Sequence, residues 1–462
     1  MPDQEHPDAG TMASLRSSFS SSDRAIARRL IRPLQSFLDA EASGAILLLV
    51  AAVLALVWIN SPVGDTYERF WATEASLDIG GFHLTETLQL WVNDGLMTLF
   101  FFVVGLEIKR EVTTGELRDA RSVAMPAIAA LGGMLVPVAI YAVMNAGGAG
   151  SRGWGIPAAT DIAFAVGVLT IAAKSAPRSV RPFLLTLAIV DDIGAILLIA
   201  IFYSKGISLN ALALAGGLII LMVVADRLHI RAMPVYVVLG IAVWIATFES
   251  GIHPTIAGVV LGLLAPARPF QPSAGVSGEA QRVADLTDDD PDDPDDNAPA
   301  WLYLSRFSRK AVSPLARAES VLHPWTSFVI VPIFALANAG IELSRDVISA
   351  GLTSAVTLGV ALGLVVGKTV GISVASWVAV RTKLGRLPAG ATWGHIVGVA
   401  ALGGIGFTVS LFIAELAFRG DQEQLDAAKL GILFASVLAG VIGYLILRVA
   451  GPAGSEEPPD DQ

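Results

Sequence analysis

Residues 184–200 form an apolar run broken only by Thr186 and by two adjacent carboxylates, Asp191 and Asp192, and the nearest flanking charges are Arg181 and Lys205. As a helix rising about 1.5 Å per residue, the run crosses a bilayer and sets both acids near the hydrocarbon midplane. One acid there costs roughly 2.5–3.5 kcal/mol on the insertion scale, and a like charge beside it adds repulsion. Two readings follow. The acids are satisfied by hydrogen bonds inside a protein interior, or they handle an ion or a proton. Depth and doubling favour the second.

The rest of the chain repeats the constraint. Of 462 residues, 54% are hydrophobic and 16% charged, and the apolar residues come in blocks of about 17–25, the length of a membrane helix. The expected fold is an all-α polytopic membrane protein with about 12 transmembrane helices. Their cores lie at 43–59, 88–106, 123–144, 157–173, 183–203, 209–225, 233–248, 254–265, 324–340, 352–378, 394–417 and 430–449. The first block ends in Asn60-Ser61-Pro62 with no small-residue cleavage site, so it reads as an uncleaved span. Cysteine is absent, which excludes disulfides and thiolate metal sites. The net charge of −10 does not suggest nucleic acid, and the partner this composition demands is the lipid bilayer.

Charge sets the orientation. With residues 1–42 as a cytoplasmic tail, 24 of the 31 Lys and Arg fall on the cytoplasmic side and six outside, while Lys368 alone lies within a span. That asymmetry supports an even number of spans with both termini cytoplasmic. The domain plan is then 43–265 for spans one to eight, 266–322 for a cytoplasmic loop, 323–450 for spans nine to twelve, and 451–462 for a C-terminal tail. Within the loop, 271–299 carries the run Asp288-Asp289-Asp290-Pro291-Asp292-Asp293-Pro294-Asp295-Asp296 and reads as a disordered linker. Outside the membrane, 65–85 contains Leu77-Asp78-Ile79-Gly80-Gly81-Phe82-His83-Leu84, alternation around a Gly-Gly turn that signals a small extracytoplasmic β-hairpin. A lone hairpin is marginal in water, so it is expected to pack on something, such as a second subunit.

Spans three to five and ten to twelve start on opposite sides, which makes an inverted repeat. The middle span of each is interrupted, by Gly153-Trp154-Gly155-Ile156-Pro157 before Thr160-Asp161 and by Gly403-Gly404-Ile405-Gly406. Backbone that leaves the helix at membrane depth is buried or lines a wet cavity, and paired broken helices in inverted repeats point to a transport site. Gly-mediated helix packing is the alternative for the second break. Lys368 lies mid-span, cannot snorkel easily, and needs Asp191 or Asp192 as a partner. Asp161 could offset the positive ends of half-helices and Lys368 the negative ends, or either could touch an ion or proton directly.

Sodium and lithium are hard cations that want oxygen ligands. Asp191 and Asp192 with a hydroxyl or carbonyl from Thr160 would supply them, with no resident cofactor. A site that holds either the metal ion or protons is an exchanger once it opens alternately to the two sides.

Particular motifs carry a resemblance. Trp91-Val92-Asn93-Asp94-Gly95-Leu96-Met97, Gly105-Leu106-Glu107-Ile108-Lys109-Arg110-Glu111, Ala158-Ala159-Thr160-Asp161-Ile162-Ala163-Phe164-Ala165 and Ile189-Val190-Asp191-Asp192-Ile193-Gly194-Ala195 are joined by Ser250-Gly251-Ile252-His253, Leu322-His323-Pro324-Trp325, Gly367-Lys368 and Gly403-Gly404-Ile405-Gly406-Phe407-Thr408. With these, the sequence resembles the NhaA-type sodium/proton antiporters from Gly44 to about Ala450. The resemblance implies an electrogenic, pH-regulated transporter of the bacterial inner membrane, not an enzyme, that exchanges cytoplasmic Na+ or Li+ for external H+. It implies that Asp191 and Asp192 bind the cation and carry protons, that Lys368 pairs with Asp191, and that Thr160 and Asp161 belong to crossed, broken helices. It also implies a pH-sensing patch of Glu107, Arg110, Glu111, Glu319 and His323, while the hairpin, by its own need for a packing partner, is expected to join two copies in a homodimer. Ser320 and Ala316 depart from a second His and a basic residue that some members carry, and the acidic linker is unusual. An intramembrane aspartyl protease using Asp161 and one of Asp191 or Asp192 would leave Lys368 and the inverted repeats unexplained, and no Gly-x-Gly-Asp motif appears. A sodium-coupled symporter on a similar fold would need an organic-substrate pocket.

Overall fold

The computed structural model describes residues 43–79, 82–118, 120–172, 176–204, 206–228, 230, 232–269, 273–286 and 297–451. Seven described helices are long and apolar enough to cross a membrane, and nine spans result if each of two bent pairs counts as one. In chain order, α1 is Ser43–Ile59 and α2 Asp65–Trp71, followed by strands β1 (Glu74–Ile79) and β2 (Phe82–Thr87). Next come α3 (Leu88–Thr113), α4 (Ala120–Met144), a 3-10 segment (Ala149–Ala158), α5 (Ile162–Ala172), α6 (Val180–Phe202), α7 (Leu209–Arg227), α8 (Met233–Glu249) and α9 (Thr255–Leu264). The second half holds α10 (Ser273–Leu286), α11 (Ala298–Ser308), α12 (Pro314–Asn338), α13 (Arg345–Thr353), α14 (Ala355–Arg381), α15 (Trp393–Leu402), α16 (Phe407–Ala417) and α17 (Gln422–Ala450). The apolar helices α1 and α8 have 17 described residues each, and α9 has 10.

Membrane helices gain little from apolar burial against one another, so close packing needs small residues. Gly132 of α4 and Gly371 of α14 face each other so closely that a Cβ on either would strike the other's carbonyl oxygen. On α3, a Cβ at Gly105 would sit 2.6 Å from the Val259 carbonyl oxygen of α9.

Four expectations need correction. The stretch 65–85 is not all hairpin: residues 65–71 form α2, whose Tyr67 and Trp71 lie four residues apart on one buried face. The strands pair antiparallel from Glu74↔Thr87 to Ile79↔Phe82, and the Gly80-Gly81 turn lies outside the described residues. The linker 271–299 is not wholly disordered either. Residues 273–286 form α10, because Val276, Ala280 and Val283 recur at helical spacing on the less exposed side, with Val283 buried. The acidic run 287–296 lies outside the described residues. Span nine begins at Pro314 rather than near 324, since Ser313 accepts a hydrogen bond from Ala316 N and caps the helix ten residues earlier. Finally, Lys429, one of the six Lys and Arg counted outside the membrane and expected just before the last span, is not in a loop. It lies in α17, whose N-cap is Asp421, and is only 4% exposed.

Candidate ion-binding site

The two bent pairs meet. The 3-10 segment Ala149–Ala158 and α5 are bent by 47° about Ala159, Thr160 and Asp161, and α15 and α16 are bent by 43° about residues 403–406. The unwound backbones cross and bond to one another. Asp161 N donates to Ile405 O at 2.7 Å, Thr160 Oγ1 donates to Gly403 O at 2.8 Å, and Ser410 Oγ donates to Ile156 O at 2.8 Å. The second break also lies close on α14: a Cβ at Gly404 would strike the Leu364 carbonyl, and one at Gly403 would come within 2.8 Å of Ile372 Cδ1.

Asp161 is fully engaged by two helix starts. Its Oδ1 accepts from Phe164 N at 3.0 Å, in the first turn of α5. Its Oδ2 accepts from Thr408 N at 3.0 Å and Thr408 Oγ1 at 2.7 Å, in the first turn of α16. One carboxylate thus caps the positive ends of both half-helices. Asp161→Ala should therefore lose about 0.5–2 kcal/mol of stability for each helix end, read as a lower melting temperature in detergent. An unchanged melting temperature would return Asp161 to a direct role with the ion.

Lys368 does the complementary work. Its Nζ donates to Ala158 O at 2.6 Å, at the carbonyl end of the 3-10 segment, and to Asp191 Oδ2 at 2.6 Å. Both Lys368 and Asp191 side chains are fully buried. Lys368 follows a wide π-type turn, Gly363–Gly367, in α14. A Cβ at Gly367 would lie 2.8 Å from Pro137 Cα, so these small residues let α14 lie close on α4.

The carboxylates keep free acceptor atoms. Asp191 Oδ1 and Asp192 Oδ1 are buried and accept no hydrogen bond among the described residues. Thr160 lies beside Asp191. Asp192 is 5% exposed and faces the charge of Glu107. A buried oxygen without a donor is unfavourable unless something cationic or a proton occupies it. Asp191 with Lys368 is neutral as a pair, and Asp161 is balanced by helix ends. Asp192 is the carboxyl group left without an ion pair among the described residues.

A second cluster gathers four of the five residues of the expected pH-sensing patch. Arg110 Nη1 donates to Glu319 Oε1, and Arg110 Nη2 lies 3.5 Å from Glu111 Oε1. Glu107 lies one turn back on α3, within the field of all three. His323 does not join them. It is exposed on α12, with no ion pair to the cluster among the described residues.

A third polar group received no role from the sequence. Asp94 Oδ1 lies 3.3 Å from His253 Nε2, and the Asp94 carbonyl accepts from Trp244 Nε1 at 3.1 Å and from Thr98 Oγ1 at 2.6 Å. Asn93 and Asn338 exchange side-chain hydrogen bonds at 2.8 and 3.2 Å. Buried Lys429 pairs with Glu415 at 2.9 Å. A cavity of ≈ 210 Å³ reaches Asn93, Asp94, Glu415 and Arg419. The available signal was Asn93-Asp94 and Glu415 inside apolar blocks, which reads the same way as Asp191.

The family model described as Na+/H+ antiporter 1 matches residues 35–447. The chain is 46% identical over 430 residues to the Na(+)/H(+) antiporter NhaA of Anaeromyxobacter sp. (strain Fw109-5), covering 93% of this chain and 94% of that protein. It is 48% identical to the Na(+)/H(+) antiporter NhaA 3 of Frankia alni, covering 90% and 88%. With the Na(+)/H(+) antiporter NhaA of Oleidesulfovibrio alaskensis it shares 43% identity, covering 91% and 94%.

Proposed function

This chain belongs to the Na+/H+ antiporter 1 family, and from that premise we propose that it is a secondary transporter exchanging cytoplasmic Na+ (or Li+) for external H+. The observation that carries the reading is the pair of buried, unpartnered oxygens on Asp191 and Asp192, with Lys368 committed to the other Asp191 oxygen. Asp191 and Asp192 are the cation ligands, and Thr160 adds an oxygen. Asp161 and Lys368 position the crossed helices. Sodium and protons compete for the same oxygens, so loading one unloads the other. The exchange is electrogenic, as the family resemblance implies.

The proposed setting is the inner membrane of a bacterium, with twelve spans, both termini cytoplasmic and the two broken helices in inverted repeats. The hairpin β1–β2, held to α3 by Trp91 Nε1 donating to Ala75 O at 2.9 Å, joins two copies into a homodimer. An aspartyl protease fits poorly, because both carboxylate oxygens of Asp161 are taken up by the first turns of α5 and α16. The deciding experiment is a sodium-driven pH change in sealed vesicles, together with proton release when sodium is added to purified protein. An antiporter releases protons with no organic partner present. A symporter does not.

The cluster at the Arg110 end of α3 supplies pH regulation. Carboxylates that hold protons in acid keep one arrangement, and losing them shifts the population. Exchange is expected to be low in acid and to rise toward alkaline pH. Glu111→Gln should displace that rise by about one pH unit, the size expected when one neighbouring charge is removed, without abolishing transport. Initial rates against pH at saturating sodium check this, and superimposable profiles would remove Glu111 from the sensor.

A further inference from the structure

The hairpin α10–α11 has no part in the exchange reading. Its two helices pack on each other, and Val283 is buried between them. On α11, Ala300, Leu304 and Phe307 lie on the less exposed side, and the Tyr303 and Phe307 rings stack at 6.0 Å. The opposite arc is open. Trp301, Leu302 and Tyr303 are 49%, 57% and 50% exposed. At 100° per residue exposed Arg306 falls on the same arc, and exposed Arg309 and Lys310 follow in the 3-10 turn Arg309–Ala311 that ends the helix. A soluble surface helix does not normally present Trp-Leu-Tyr to water beside three cations.

The fold also fixes where this arc sits. Only Val312 separates the turn Arg309–Ala311 from Ser313, the N-cap of the candidate span α12. Leu315 N donates to Pro266 O at 3.2 Å, so both feet of the hairpin are tied at the end of the membrane helices. Trp and Tyr favour the headgroup level, and Lys and Arg near it are drawn to anionic lipid. We infer that α11 lies on the membrane surface, with Trp301, Leu302 and Tyr303 at the headgroup boundary and Arg306, Arg309 and Lys310 on anionic headgroups. This rests on the chain being membrane-embedded, but not on its transporting sodium. The seven aspartates of 288–296, which separate α10 from α11 in the sequence, are repelled by the same surface, which leaves the basic end as the docked end.

The chain has no cysteine, so Leu302→Cys gives a single attachment point for an environment-sensitive fluorophore on the full-length protein. The labelled protein is placed in nanodiscs of phosphatidylcholine alone or with phosphatidylglycerol, each with headgroup-nitroxide lipid as quencher, in the absence of sodium. Strong quenching is expected in the anionic discs. The triple change R306Q/R309Q/K310Q should lower the docked-to-undocked ratio about a hundredfold, roughly fivefold per cation. Absent quenching, or equal quenching in neutral discs and in the triple variant, would overturn the proposal. It would also fall if shielding of the label in detergent vanished on deleting 287–296, or if shielding required two copies per disc. The acidic run or a second copy would then be the occupant. Because no transport is measured, failure here leaves the antiport reading untouched.

Discussion

Asp192→Asn should reduce sodium-driven proton flux to the level of protein-free vesicles while leaving the fold intact. An amide neither titrates nor carries the charge that balances a cation. Asp191 is neutralised by Lys368 at 2.6 Å, so Asp192 is the carboxyl group left without an ion pair among the described residues. Losing one opposite charge at about 4 Å, with an effective dielectric near 20, removes about 4 kcal/mol, or roughly a thousandfold in affinity. Stability should not fall, because Asp192 Oδ1 has no hydrogen bond to lose among the described residues and the change removes an unpaired buried carboxylate. Flux and melting temperature measured on the same preparation separate the two effects. Near-normal flux in a properly folded Asp192→Asn protein would remove Asp192 from the site. Asp191→Asn is expected to weaken exchange severely as well, but with a change in stability, since it alters the partner of a buried lysine.

The difference between those neighbours was only partly legible in the sequence. Periodicity and depth placed Asp191 and Asp192 on one membrane helix, and α6 carries both. Which of them faces Lys368 depends on how α6 and α14 are rotated, and no local pattern encodes that rotation. The breaks near Thr160 and Gly403 were visible as Gly and Pro at membrane depth. Their consequence, one carboxylate capping two half-helices from segments almost 250 residues apart, is a long-range fact. Lys429 shows the reverse failure. A charge at the edge of an apolar block looks like a flank, and only its burial beside Glu415 reveals a paired interior lysine. In α10 the acidic run hid a short helical stripe, because composition averaged over 271–299 outweighed three apolar residues.

Lys368→Ala should produce the largest loss of stability of any single change considered for this chain. The ammonium is fully buried and makes two contacts of 2.6 Å, to Asp191 Oδ2 and to Ala158 O. Removing it leaves an uncompensated buried carboxylate, at a cost of about 3–5 kcal/mol. It also uncovers the carbonyl end of the 3-10 segment. The melting temperature in detergent should fall, and the gap from wild type should widen toward alkaline pH, because a protonated Asp191 is neutral and needs no partner. The double variant Lys368→Ala/Asp191→Asn separates the two contacts. If the ion pair dominates, removing the second charge should recover most of the lost stability, as a coupled pair requires. If the double variant is as unstable as the sum of the single ones, the contact with Ala158 is what holds the broken helix, and Asp191 is not the group that Lys368 neutralises.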